Sequence, residues 1–193
     1  KNNIKTFLET SGAYPLTGVW DWITLSPKKG SPPLDEIWPR ADELKVIIEN
    51  GTDFEAAEEY YHRAYAMNKE DLNLDLCYGY LFLHSRRLDE AKQKFADILL
   101  KDADFTEASI GLALVHAAVG EYDLSCANLT SVLDKNPNHK LALYLHFNWS
   151  QQSSETVTST IDLINNFLKE NPQDEEALTL RVGWYIKQQN YKR

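Results

Sequence analysis

The sequence predicts an all-α fold: a right-handed α-α superhelix, or solenoid, of stacked helix pairs, preceded by an irregular N-terminal cap. Three observations predict it. The first is self-similarity at a period of about thirty-four residues, the usual mark of a repeat array. Tyr78-Gly79-x-x-Phe82 and Leu88-Asp89-x-Ala91-x-x-x-Phe95 return one period later as Leu112-Ala113-x-x-His116 and Tyr122-Asp123-x-Ser125-x-x-x-Leu129. One period earlier stands Phe54-Glu55-x-Ala57-x-x-x-Tyr61, and Pro137 is answered by Pro172. Only His116 and Ser125 blur the match. The second observation is apolar spacing at i, i+3 and i+4 inside each repeat, which gives a helix one buried face. The third is that four of the 7 prolines and three of the 8 glycines precede residue 38, where no long regular element is expected.

Residues 1–37 form the expected irregular segment. Ile4 to Glu9 reads as a short helix tail stopped by Ser11-Gly12, and Tyr14 to Ile23 is too aromatic for a disordered linker. Trp20 and Trp22 are therefore expected either to pack as a cap on the first repeats or to serve as an exposed docking element. The array is expected to span 38–193. In repeat 38–71, Pro39 suits a first helical turn, Leu44, Ile47 and Ile48 supply an apolar face, and Asn50-Gly51 is a C-terminal cap. A second helix opens at Asp53 and runs to about Met67. Repeat 72–105 has a first helix that is apolar all round, hence buried. Repeat 106–139 is the most regular, with Gly120 in its turn. Repeat 140–174 has a polar turn at Gln151-Gln152-Ser153-Ser154 and a helix start rich in Thr156, Thr158, Ser159 and Thr160. A partial repeat, 175–193, carries Leu178, Val182, Tyr185 and Tyr191.

This arrangement of a bulky-small pair, a later Tyr or large residue, then Ala, Phe and a closing Pro resembles the tetratricopeptide repeat, over the stretch from Trp38 to the C-terminus. The resemblance implies a protein-binding array whose concave side is built from the first helix of each repeat. One variety of the family clamps the C-terminal carboxylate of chaperones with Lys, Asn and Arg. The corresponding positions here are Asp42, Val46, Cys77, Glu107 and Gly111, none of which matches, and acids there would repel a carboxylate. The inward positions hold instead Leu76, Cys77, Tyr80 and Leu83, then Ile110 and Leu114, then Tyr144, Leu145 and Asn148, an apolar groove with few charges. Such a surface is seldom left bare. A partner's apolar segment, the chain's own Trp-rich N-terminus, or neighbouring repeats of a longer protein would each cover it.

Composition bounds the rest. With a formal net charge of −9 over 193 residues and no basic stripe, phosphate neutralisation of nucleic acid is not expected. No apolar run reaches the eighteen or so residues of a membrane span, so no membrane insertion is expected. Cys77 and Cys126 stand in different repeats and suggest no disulfide framework, which favours a cytoplasmic, intracellular setting. The sequons at Asn50, Asn128 and Asn148 read as chance, the last two inside helices. The chain opens on Lys1 in place of Met and closes within a repeat, so a longer parent protein is expected. No Gly-rich phosphate loop, His-Glu-x-x-His or Cys-x-x-Cys occurs, and the 5 histidines are scattered. No catalytic residue, cofactor or metal is expected. The function implied is a non-catalytic scaffold or adaptor within a multi-subunit complex. The alternative is a supporting helical domain, its groove filled by its own N-terminus, that serves a catalytic domain elsewhere.

Overall fold

Aromatic and β-branched residues in short alternating runs build the beginning of the chain as strands. The computed structural model describes residues 5–49, 53–67, 70–152 and 157–190. It falls into two units, Lys1–Ser85 and Arg86–Arg193. In the first unit β1 (Phe7–Thr10), β2 (Trp22–Leu25) and β3 (Glu43–Leu44) pair in parallel in the order β1-β2-β3. Phe7 is in register with Trp22, and Thr24 with both Glu9 and Glu43. The pleat sends Ile23 and Leu25 inward and Phe7 and Trp22 outward. Gly12 turns the chain after β1 at φ +71°, and a Cβ there would lie 2.6 Å from Leu25 Cδ1 and 2.9 Å from Pro33 Cβ, so only glycine fits.

Two expectations are corrected here. The expected helix tail does not form and is replaced by β1, although the strands before residue 38 are short, four residues each. Nor does 38–71 begin with a helix: Trp38–Arg40 is one 3-10 turn and Leu44 lies in β3. The reason is that backbone bonds to β2 capture this stretch. Asp42 N–H donates to the Ile23 carbonyl (2.9 Å), and Lys45 N–H to that of Leu25 (2.8 Å). Val46-Ile47-Ile48, β-branched throughout, favours extended backbone over helix, and Ile47 stays 54% exposed. Leu25, Ile37 and Trp38 form the core of this end, packed by Leu44 and by Tyr60 and Ala64 of helix α1 (Asp53–Met67). Helix α2 (Leu72–His84) follows, its first turn capped by Asp71, whose carboxylate accepts from Asn73 N–H at 2.9 Å. Tyr78 of α2 is ringed by Tyr61, Tyr65 and Phe82.

The second unit is helical: α3 (Leu88–Lys101), α4 (Thr106–Ala118), α5 (Tyr122–Lys135), α6 (Lys140–Ser150), α7 (Val157–Glu170) and α8 (Glu175–Asn190). Each packs on the next in the chain. Ile110, Leu129, Leu143, Ile164 and Phe167 join four of them in one core. The division into units falls between α2 and α3, inside the stretch expected as repeat 72–105. The cap expected at Asn50-Gly51, the turn at Ser153-Ser154 with Thr156, the side chains of Thr158 and Ser159, and Tyr191 lie outside the described residues.

Helices α3 and α4 approach closely. A Cβ on Gly111 would stand 2.5 Å from Phe95 Cε1, well inside van der Waals contact distance. Gly111→Ala is expected to lower stability by roughly 1–3 kcal/mol through overpacking, read from a urea or thermal melt. The turns between the helices of successive repeats also match. Gly120 has φ +82°, and one period earlier Arg86 adopts φ +62°. A side chain in that left-handed region is strained. Arg86→Gly is therefore expected to raise stability by about 1 kcal/mol, checked by the same melt; an unchanged or lowered melting temperature would contradict it.

Candidate partner-binding surface

The nine groove positions read from the sequence are dealt out over three helices. On α2, Leu76, Tyr80 and Leu83 are half-buried and Cys77 is exposed. On α4, Ile110 is fully taken into the core and offers nothing to a partner, which corrects its reading as a groove residue. Leu114, one turn on, is half-buried against that core. On α6, Tyr144 and Leu145 are half-buried and Asn148 is exposed.

The α6 end is also less apolar than expected. Lys140, one turn before Tyr144, reaches Asp174 at 2.9 Å and Glu176 at 2.5 Å. Both carboxyls are held below the usual range. For Asp174 the main cause is the Ala177 N–H that it caps, with Lys140 next; for Glu176 it is the bond from Lys140. Asp174 sets the start of α8 and at the same time ties α6 to it. A triad of this kind gives a partner something to orient against as well as something to bury on.

Neither Trp20 nor Trp22 is buried. Trp22 sits on the outer face of β2, 41% exposed. Trp20 is half-buried beside Gly18, donating its indole N–H to the Thr17 carbonyl at 2.9 Å. Tyr14, in the same stretch, is 81% exposed. The burial expected of the tryptophans falls instead to Ile23, Leu25, Ile37 and Trp38. The sequence reading also missed a cleft of about 300 Å³ bordered by Pro27, Lys28, Val46, Ala56 and Tyr60, and spanned by an ion pair of Lys29 with Asp53 at 2.7 Å.

No group of three or more His, Cys, Asp or Glu side chains that could hold a metal occurs among the described residues. Packing around the Cys77 sulfur pushes its thiol up, the opposite of what a nucleophilic cysteine needs. No helix among them is long and apolar enough to cross a membrane.

His146 is the one buried imidazole with neither ring nitrogen bonded among the described residues. Burial lowers its pKa from 6.5 to about 4. Between those two values the unfolded chain takes up a proton that the folded chain refuses, so stability falls as pH drops from about 6.5 to 4 and then levels. The loss attributable to this residue is roughly 3 kcal/mol. Exposed carboxylates add their own acid sensitivity, so the check is differential. His146→Leu is expected to flatten the pH dependence of the urea midpoint between pH 7 and 4, relative to the parent.

No protein-family model matches the chain. Its structure is similar to that of MamA (TM-score 0.58, 15% identity, 71% of this chain and 80% of MamA). It is similar also to YrrB, a TPR protein with an unusual peptide-binding site (0.55, 15%, 72% and 71%), and to a tetratricopeptide repeat protein of Parabacteroides merdae (0.54, 15%, 70% and 52%). The fold of the helical part is thus TPR-like. The other likeness is in sequence. The chain is 58% identical over 57 residues to the 7-carboxy-7-deazaguanine synthase of Flavobacterium psychrophilum, covering 30% of this chain and 27% of that protein. It is 60% identical over 55 residues to the synthase of Synechocystis sp., covering 28% and 26%. The chain spans about a quarter of the length of these curated relatives.

Proposed function

We propose that this chain joins a piece of a 7-carboxy-7-deazaguanine-synthase-like fold to a TPR-like array that binds a protein partner and does no chemistry itself. The observation that carries this is the pairing of two unlike resemblances. High identity extends over 55 to 57 residues to one kind of protein, and fold likeness over about 71% of the chain to another. The stretch before α1 is of that shorter length and holds all the described strands, which favours it as the synthase-like piece. The array is then a supporting domain, the role expected where helical repeats accompany a catalytic neighbour. In this reading the N-terminal sheet has contacts of its own, on Tyr60 and Ala64 of α1. On the second unit the half-buried Leu114, Tyr144 and Leu145 are offered to the partner. The net charge of −9 argues against nucleic acid as that partner.

Two measurements test it. Panning the purified chain against a displayed peptide library is expected to select binders. Leu114→Glu combined with Leu145→Glu is expected to weaken them about tenfold or more, with helical circular dichroism unchanged, because a carboxylate in an apolar contact is costly to desolvate. Undiminished binding would move the site elsewhere on the helices. Under conditions in which the Flavobacterium psychrophilum synthase forms 7-carboxy-7-deazaguanine, the chain alone is expected to form none, and product would overturn the non-catalytic reading.

A further inference from the structure

The small sheet is built to be continued. All three strands are parallel, and parallel sheets are as a rule covered on both faces by crossover helices. Here α1 covers the face bearing Leu25 and Leu44. The connections that leave β1 and β2 hold no α-helix, so no helix of this unit follows the strands onto the other face. That face presents Phe7, 65% exposed, directly beside its register partner Trp22. β1 is also an edge, with no described strand on its far side. Trp22 N–H donates to the Thr6 carbonyl and Ser26 N–H to that of Thr10, so the even-numbered residues of β1 face β2. By the period of two, the N–H and C=O groups of Phe7 and Glu9 point to the open edge.

We propose that the open edge of β1, with the Phe7/Trp22 ring pair above it, receives a further parallel strand and its covering helix from the portion of a 7-carboxy-7-deazaguanine-synthase-like polypeptide that this chain does not resemble. The proposal rests on the synthase-like reading of the segment before α1. Three observations select this occupant over another peptide or a second copy. The sheet is parallel, and a parallel strand comes with a crossover helix that would bury exactly the face left bare. The likeness spans only 27% of the synthase, so most of that fold lies outside the match. The edge is polar where it is not aromatic, Glu9 being paired with Lys45 at 3.2 Å across Thr24, so the apolar contact is confined to the end at Phe7 and Trp22.

The test co-expresses the full chain with the Flavobacterium psychrophilum synthase lacking its 57 matched residues. The two are expected to co-purify, and amide exchange at Phe7 and Glu9 is expected to slow about tenfold or more relative to the chain alone. Glu9→Pro removes an N–H that faces the edge and leaves the ladder to β2 intact, so it is expected to abolish co-purification at an unchanged melting temperature. The proposal is overturned if the truncated synthase stays insoluble with the chain present, if Glu9→Pro binds as the parent does, or if Phe7 and Glu9 are already protected in the chain alone in a concentration-dependent way, which would mean pairing of copies. The variant carrying Leu114→Glu and Leu145→Glu is expected to co-purify normally. Failure at the sheet edge and failure of the peptide-binding surface are thereby separate results.

Discussion

Phe95 heads the fully buried side chains by size, and the residue it presses against, Gly111, has no side chain at all. Helices approach closely only where one of them gives up side-chain volume at the crossing. At this point α4 gives up all of it. The ring of Phe95 then occupies the space of the missing Cβ and fixes how far α3 can slide along α4. With that contact set, Ala91, Ala108 and Ala113 fall at fully buried positions around it. The next helix is registered through Ser125, whose hydroxyl donates to the Ala113 carbonyl at 2.8 Å. A larger residue at 111 would push the ring out and disturb each of these in turn.

The helical part of the chain was legible because its signal repeats. A period near thirty-four residues tests every assignment several times, and α1, at Asp53–Met67, has the bounds its sequence implied. The strands carried no such redundancy. Four residues at Phe7–Thr10, four at Trp22–Leu25 and two at Glu43–Leu44 show at most two cycles of alternation each. Their pairing is parallel and non-local, invisible to any local window. Pro39 and Leu44 suited a helix equally well in isolation; what decided against it was a hydrogen-bonding partner, β2, some twenty residues away. On the candidate surface the limit was finer. Ile110 and Leu114 stand one helical turn apart on one face, and the sequence has no means of saying that the first is sealed by Leu129 and Leu143 while the second stays at the rim.

The two residues that blurred the repeat each add a polar bond to it. Where the preceding repeat has Phe82, His116 places Nδ1 2.6 Å from Glu121 and so closes the turn after α4. Where the preceding repeat has Ala91, Ser125 makes its bond to Ala113. A buried polar group destabilises unless it is paired, and these two are. His146 has neither ring nitrogen bonded among the described residues, and that is why burial alone dominates its titration.

The packing of Leu25 and Trp38 on Tyr60 and Ala64 gives the array a direction of growth. Repeat proteins lengthen when a helix pair is duplicated and the new copy finds the same neighbour on either side. In front of α1 that neighbour is a sheet, whose contacts no helix pair reproduces, so a copy added there would strand the sheet and expose its core. Behind α3 every junction is helix on helix. Lineages carrying this arrangement should therefore differ in the number of helices that follow α2, while the sheet and α1 stay together as one inherited block.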